Sequence, residues 1–221
     1  MVNHSSFYRN DPETSPDNVL REFLDTHYLL KRPNLDVSHP KLLVVLSGGN
    51  AVGKSMLSAQ LEAKLHALVI ENDEIKQLLV DSHPDIEKSD LGDVGRMTWQ
   101  YTLDLYRRLS NVSPNGLVVR DAVIDWYYDR ILPLFVEQGY AIFVVRFELS
   151  RVLREKLLNN RGGKDWVTKE KLMSLMDEHD VYSAKFLSQY PADVILDDQT
   201  LFDHDIVVDA VRARLELLNG S

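Results

Sequence analysis

The chain has 221 residues, of which 44% are hydrophobic and 27% are charged, so it is long enough to bury the core of one α/β domain. Its 25 Lys and Arg residues against 34 Asp and Glu give a net charge of −9, which makes a long nucleic acid an unfavourable partner. Cysteine is absent, which excludes disulfide bonds and thiolate metal sites.

The first 40 residues read as an arm followed by a helix. Residues 1–16 are polar and lack the apolar core of a signal peptide, and residues 17–31 carry apolar side chains at helical spacing. The longest apolar runs, 42–46 and 141–145, are far too short to span a bilayer. We therefore expect a cytoplasmic protein that does not insert into a membrane.

From residue 41 onward, short apolar runs alternate with longer amphipathic segments. The apolar runs predict five strands, at 41–47, 67–72, 116–120, 140–147 and 192–197. The amphipathic segments predict helices at 54–66, 74–81, 92–110, 125–138, 150–160, 168–190 and 203–219. This alternation predicts an α/β fold over residues 41–221: a doubly wound, mostly parallel five-stranded sheet with helices on both faces.

A phosphate-binding motif follows the first predicted strand. It fits G-x-x-x-x-G-K-S/T and consists of Gly48, Gly49, Asn50, Ala51, Val52, Gly53, Lys54 and Ser55. An apolar strand precedes the motif and an amphipathic helix follows it, which is the context that a phosphate-binding loop (P-loop) requires. Backbone N–H groups of such a loop surround the phosphates, the lysine reaches the β- and γ-phosphates, and the hydroxyl ligates Mg²⁺. The motif therefore predicts ATP and Mg²⁺ as ligands, with Lys54 catalytic and Ser55 on the metal.

An acidic residue, Asp73, follows the second predicted strand. Open α/β sheets bind ligands at the carboxyl ends of their strands, and a carboxylate there can accept the proton of an attacking hydroxyl. The alternative is that Asn72 or Asp73 only caps the helix that follows. Lys76, one turn further on, either faces an anionic acceptor or is a solvated helix lysine.

The order of these motifs resembles the zeta-toxin family and the related 5′-polynucleotide and small-molecule kinases. The matching features are GxxxxGKS and a strand that ends in I-E-N-D-E-I-K-Q, residues 70–77. The resemblance implies that Asp73 is the general base of a kinase. It also implies that Lys76 contacts the acceptor, as the basic residue three positions after that Asp does in polynucleotide kinases.

Asp121 follows the third predicted strand, where P-loop proteins hold a carboxylate that orients Mg²⁺ or binds the acceptor. Kinases of the resembling group carry an Asp here and an Arg further along, which Arg130 matches as a substrate-binding residue. The alternatives are a helix cap for Asp121 and a surface ion pair for Arg130. Zeta toxins tend to have Glu-Gly where this chain has Arg120-Asp121, so the resemblance to a sugar-nucleotide kinase is weaker here.

A basic helix ends in Arg161-Gly162-Gly163-Lys164, ahead of another predicted helix. Two glycines form a flexible hinge, and a mobile arginine that closes over the phosphates stabilises the transferring group and excludes water. We therefore predict a lid near 159–168 with Arg161 as its catalytic arginine, and the string also resembles the lid of polynucleotide kinases. Arg154 is the other candidate, and a glycine helix terminator is the structural alternative.

Together these motifs predict a P-loop phosphotransferase that moves the γ-phosphoryl of ATP to a hydroxyl of a small or nucleotide-like acceptor. A zeta-toxin-like sugar-nucleotide kinase is a special case of this hypothesis. The alternative is an NTP hydrolase or a nucleotide-gated binding protein that needs no acceptor. The guanine-reading string N-K-x-D does not occur, which disfavours a GTP switch.

Overall fold

The structure is a computed structural model, and it describes residues 18–30, 39–82, 91–109, 116–160 and 169–220. Five strands form one sheet in the order β2-β3-β1-β4-β5, and every pairing is parallel. The strands are β1 (Leu42–Ser47), β2 (Leu68–Glu71), β3 (Leu117–Asp121), β4 (Ala141–Phe147) and β5 (Val194–Leu196). The predicted doubly wound parallel sheet is confirmed.

Helices connect the strands and cover both faces of the sheet. They are α1 (Asn18–Leu24), α2 (Lys54–Leu65), α3 (Asn72–Ser82), α4 (Leu91–Arg107), α5 (Tyr128–Glu137), α6 (Arg151–Asn160), α7 (Lys169–Ser174), α8 (Met176–Gln189) and α9 (His204–Asn219). A π-helical turn, Asp25–Leu29, continues α1. The helix predicted at 168–190 is therefore two helices where the structure describes it, because the chain turns at Leu175.

The central strand β1 is buried along its whole length, so apolar side chains cover it on both faces of the sheet. Alternate residues of β1 and β3 pack into two separate hydrophobic clusters. One cluster contains side chains of α1, α3, α4, α5 and α8. The other contains side chains of α2 and α9.

The segment that precedes β1 contributes to the first of these clusters. Leu20, Leu24 and Tyr28 are buried there beside residues of α3 and α4. The Tyr28 hydroxyl donates a hydrogen bond to the backbone oxygen of Val69 (3.1 Å) and accepts one from the backbone N–H of Glu71 (2.6 Å). Both groups belong to β2, an edge strand, so Tyr28 holds the end of that strand just ahead of Asp73.

An ionic network joins α1 and its π-helical turn to the C-terminal end of α4. Arg108 donates to both carboxylate oxygens of Asp25, and Asp104 accepts hydrogen bonds from Arg21 and Arg108. The Tyr101 hydroxyl donates to Asp25 as well, at 2.9 Å. Within the described ranges, no helix combines the length and the apolar composition that crossing a bilayer requires.

We predict that Tyr28→Phe lowers the free energy of unfolding by about 1–3 kcal/mol, because one buried and one partly buried backbone group of β2 lose a partner. Chemical denaturation measures the change. Tyr190→Phe is the matched control, since the Tyr190 hydroxyl makes no hydrogen bond to the described residues. Equal stability of Tyr28→Phe and wild type would show that the hydroxyl does not hold the strand end.

Candidate active site

The P-loop motif forms the turn between β1 and α2, as predicted. Gly48 has φ +152°, and a Cβ added to it would lie 2.9 Å from the Cβ of Phe147 on β4, so only glycine fits there. Gly53 has φ +94° and caps α2, its carbonyl accepting hydrogen bonds from the N–H groups of Met56 and Leu57. Ala51 is a non-glycine residue with φ +60°, the kind of backbone strain that concentrates at ligand-binding sites.

The Lys54 side chain folds back over the P-loop. It is only 8% exposed, and its Nζ donates to the backbone oxygens of Gly48 (2.9 Å) and Gly49. The ammonium is thus held at the concave side of the loop.

A buried carboxylate, Asp125, holds the start of the loop from the other side. One of its oxygens accepts a hydrogen bond from Ser47 Oγ (2.6 Å), and the other accepts from the Gly48 N–H (3.1 Å). That second oxygen also lies 2.8 Å from Nε2 of His179 on α8. Because a carboxylate only accepts hydrogen bonds, Nε2 is the donor. We call Ser47, Gly48, Asp125 and His179 the Asp125 cluster.

The surroundings of Asp125 favour its charged form. Burial alone would raise the pKa of this carboxyl, but the hydrogen bonds from His179, Ser47 and Gly48 outweigh it and hold the pKa below its ordinary value. On the other side of the imidazole, the Ser183 hydroxyl lies 3.2 Å from Nδ1 of His179. The cluster therefore connects the first residue of the P-loop to a helix that follows the predicted lid.

A cavity of about 670 Å³ opens beside the P-loop. On the side of β2 and β3 it is lined by Glu71, Asn72, Asp73, Lys76, Arg120 and Asp121, with Trp99, Trp126 and Tyr127 around them. On the opposite side it is lined by Leu157, Asn160, Leu175, Leu201 and Phe202. The P-loop residues Asn50 to Met56 lie between the two sides, so the cavity has room for a nucleotide and an acceptor together.

The structure brings most of the predicted site residues together around this cavity. Asp73 is the second residue of α3, its carboxylate is one-third exposed, and Lys76 Nζ lies 3.6 Å from it. Asp121 ends β3 and is buried. Ser55 is exposed in the first turn of α2 and lines the same cavity.

The three predicted arginines are placed differently. Arg130 is exposed on α5 and is not among the residues that line the cavity. Arg154 on α6 forms a two-point ion pair with Asp180 of α8, at 2.8 and 3.0 Å, beside a smaller cavity next to Gly49. Arg161 and the rest of the predicted hinge lie outside the described residues, so the role of Arg161 stays a prediction.

Sequence reasoning missed Arg120, Asp125 and His179. Asp125 and His179 are 54 residues apart in the chain, and neither lies in a motif. Arg120 lies in an apolar strand and entered the sequence analysis only as a departure from the zeta-toxin pattern. The sequence does carry one signal for Arg120: an arginine within an apolar strand is unusual, because arginine is almost never fully buried unless it is paired.

The oxygen ligands near the P-loop fit a magnesium ion. Asp121 is 6% exposed, and its Oδ2 has no hydrogen-bond partner among the described residues. Ser55, an exposed residue that carries a hydroxyl, lines the same cavity. Mg²⁺ takes oxygen ligands and is held by one or two protein groups together with substrate phosphates, which is the arrangement that Ser55 and Asp121 offer.

No protein-family model matches the sequence, and a search of curated proteins finds no match. Solved structures do match. A chain of the PezAT toxin–antitoxin system of Streptococcus pneumoniae superposes with a TM-score of 0.60 at 12% identity, over 84% of this chain and 78% of that one. This protein has a P-loop kinase fold.

Two metabolic kinases superpose on the same fold. A gluconokinase of Sinorhizobium meliloti gives a TM-score of 0.53 at 16% identity, over 82% of this chain and 97% of that one. A shikimate kinase of Bacteroides thetaiotaomicron gives 0.50 at 17% identity, over 80% and 98%. These identities establish the fold, and the chemistry has to be argued from the residues of the cavity.

We predict that Asp125→Asn lowers the free energy of unfolding by about 2–4 kcal/mol at neutral pH, because a buried, hydrogen-bonded carboxylate is lost. The folded pKa of Asp125 lies below the unfolded value of 3.8, so its contribution is complete above that value. The contribution disappears as the pH falls through the folded pKa. Urea denaturation of both proteins at several pH values between neutral and strongly acidic measures the difference.

Asp129→Asn is the control for this comparison, because Asp129 is exposed at the start of α5. Its effect should stay below about 0.5 kcal/mol. A stability gap between Asp125→Asn and wild type that does not shrink in acid would show that the carboxylate charge does not stabilise the cluster.

Proposed function

We propose that this protein is an ATP-dependent kinase that transfers the γ-phosphoryl of ATP to a hydroxyl of a small or nucleotide-like acceptor. The proposal rests on one observation: Lys54, Asp73 and Asp121 line the same cavity beside the P-loop. A fold shared with gluconokinase and shikimate kinase supports it. A hydrolase would need only the loop and a water site, whereas a carboxylate on the far side of the cavity suits an acceptor hydroxyl.

The P-loop binds the triphosphate. The helix dipole of α2 and the backbone N–H groups of Gly49 to Lys54 favour negative charge at this point. When phosphate oxygens bind, Lys54 exchanges its hydrogen bonds with the Gly48 and Gly49 carbonyls for charge-assisted ones to the β- and γ-phosphates. Those contacts strengthen as charge develops in the transition state.

Asp73 serves as the general base. Its carboxylate takes the proton of the acceptor hydroxyl while the acceptor oxygen forms a bond to the γ-phosphorus. The bond from that phosphorus to the β,γ-bridging oxygen breaks, and ADP leaves with the electron pair. Lys76, 3.6 Å from Asp73, holds the carboxylate in place and adds a positive charge on the acceptor side.

Mg²⁺ would be held by Ser55 and Asp121, where it neutralises phosphate charge during transfer. By the alternation of β3, Asp121 lies on the face of the sheet covered by α2, which begins at Lys54 and Ser55. This placement favours the metal-ligand role of Asp121 over a helix cap. Arg161, at the end of the sequence Asn159-Asn160-Arg161, remains our proposed lid arginine.

The acceptor is a small molecule or a nucleotide rather than a long nucleic acid, given the net charge of −9. The resemblance of the sequence to the zeta-toxin family keeps a sugar-nucleotide acceptor among the compounds to be tested. Transfer of label from [γ-³²P]ATP across a panel of metabolites, UDP-sugars and oligonucleotides identifies the class. An oligonucleotide that is phosphorylated faster than every small molecule would contradict the proposed acceptor class.

We predict that Lys54→Ala abolishes ATP-dependent transfer while the protein stays folded, because its ammonium contacts loop carbonyls rather than the core. Rate and circular dichroism are measured together. Lys64→Ala is the control, since Lys64 lies on the same helix but is exposed and pairs with Asp205. Normal turnover by a folded Lys54→Ala protein would remove the P-loop from the mechanism.

We predict that Asp73→Asn retains ATP and Mg²⁺ binding but loses about 10²-fold or more in transfer rate, the usual scale for removing a general base. Calorimetry gives the affinity for the non-hydrolysable analogue AMP-PNP, and the labelled-ATP assay gives the rate. Asp73 lies in the first turn of α3 rather than at its N-cap, so a purely structural role predicts a stability change below about 1 kcal/mol from the lost helix-dipole interaction, and unchanged transfer. Full transfer by Asp73→Asn would leave Asp73 with only a structural role in the first turn of α3.

A further inference from the structure

The side chain of Arg120 is buried without a counter-charge. It is 1% exposed, and its Nη1 donates a 3.3 Å hydrogen bond to the backbone oxygen of Ile70. Its guanidinium lies 5.6 Å from the centre of the Tyr106 ring. Among the described residues Arg120 has no carboxylate partner, and its Nε has no hydrogen-bond partner.

Such an arrangement is costly for the folded protein. Removing a charge from water carries a large desolvation penalty, which one long hydrogen bond and one aromatic ring do not offset. Apolar residues of similar size at such positions are often as stable or more stable than a buried charge. Arg120 therefore calls for a partner that the described residues do not supply.

The position of Arg120 indicates where that partner binds. By the alternation of β3, Arg120 lies on the face covered by α3, α4 and α5, opposite to Asp121. It lines the cavity on the side of Asp73 and Lys76, away from Leu201 and Phe202. This is the side from which an acceptor hydroxyl has to reach Asp73.

Buried polar atoms that lack partners among the described residues are concentrated around the cavity. Within the described part of the chain there are seven, and four of them belong to residues that line the cavity: Asn72 Oδ1, Arg120 Nε, Asp121 Oδ2 and Trp126 Nε1. Native proteins leave few such atoms, and a cluster of them beside a cavity indicates a polar ligand. Three carboxylates, those of Glu71, Asp73 and Asp121, line the cavity as well. None of them pairs with Arg120 among the described residues, and Asp73 is paired with Lys76.

We propose that Arg120 binds an anionic group, a carboxylate or a phosphate, that the acceptor carries in addition to its reacting hydroxyl. A guanidinium presents donors in a planar fork that matches both groups, and the burial of Arg120 makes the pairing strong. The inference rests on the proposed kinase function and names the chemical class of the acceptor. Arg120 acts as a specificity-determining residue, since it would favour a charged acceptor over its neutral analogue.

The test uses the whole chain with the P-loop already filled. Wild type is saturated with Mg²⁺ and AMP-PNP, so that an added anion cannot bind at the P-loop itself. Inorganic phosphate or acetate is then titrated, with chloride at equal ionic strength as the reference, and the melting temperature is recorded. We expect one of the two anions to raise Tm by about 3–6 °C when it is present at ten times its Kd. The anion that does so shows whether the natural group is a phosphate or a carboxylate.

Two neutral variants then assign the effect to Arg120. Arg120→Met and Arg120→Gln should bind the anion about ten- to hundredfold more weakly, the loss expected for a charge-assisted hydrogen bond. Without the anion, Arg120→Met should melt no lower than wild type, because it removes an uncompensated buried charge. Arg120→Gln keeps a donor for the Ile70 oxygen and serves if the Met variant does not fold. Arg107→Met, at an exposed position of α4, controls for the change in net charge and should behave as wild type.

The outcomes separate this inference from the proposed function. If wild type does not bind AMP-PNP, the kinase proposal itself fails. If AMP-PNP binds but neither anion stabilises the protein more than chloride does, Arg120 has no anionic ligand and only this inference is overturned. The inference is also overturned if a folded Arg120 variant melts lower than wild type yet binds the anion as wild type does, because that result describes a structural arginine.

Discussion

The rest of the site depends on the hydrogen bonds that the Asp125 carboxylate accepts. It binds the last residue of β1 through the Ser47 hydroxyl, the first residue of the P-loop through the Gly48 N–H, and α8 through His179. A P-loop works only if its backbone N–H groups keep one orientation, and a buried charged acceptor is a strong way to fix the residue that begins the turn. The imidazole of His179 also packs against Gly49, where an added Cβ would lie 3.5 Å from Nδ1. Loop, sheet and α8 are thus held as one unit.

The order of the strands then determines which side chains share the cavity. Because β1 lies between β3 and β4, the P-loop at its end has the carboxyl ends of β2 and β3 on one side only. Asp73 and Asp121 follow those two strands, and Tyr28 fixes the outer one through its backbone. Four of the seven buried polar atoms that lack partners in the described part of the chain belong to residues of this cavity, while the Asp125 cluster is fully hydrogen-bonded. The Asp125 cluster therefore stabilises the loop, while neighbouring residues of the cavity are left to bind the ligand. This division is expected where a site must accept a charged substrate.

The sequence predicted the parts of this arrangement that depend on local patterns, but not the contacts between residues that are far apart in the chain. The P-loop is contiguous, and Asp73 and Asp121 follow directly from where apolar strands end, so local pattern was enough to find them. The strands are apolar runs bounded by turns, which made the α/β class visible. The Asp125–His179 pair joins residues 54 positions apart, and nothing in either segment marks them as partners. Arg120 looked like an ordinary polar interruption of a strand, because only its surroundings reveal that no carboxylate lies beside it among the described residues.

The central claim is that the γ-phosphoryl of ATP goes to an acceptor hydroxyl and not to water. The most direct measurement is ³¹P NMR of wild-type protein with MgATP and a small-molecule extract, in which ADP, inorganic phosphate and phosphomonoesters are resolved and quantified together. The account predicts a new phosphomonoester resonance that grows in equal amount with ADP. Inorganic phosphate that matches ADP throughout, with no new ester, would contradict it and would identify a hydrolase.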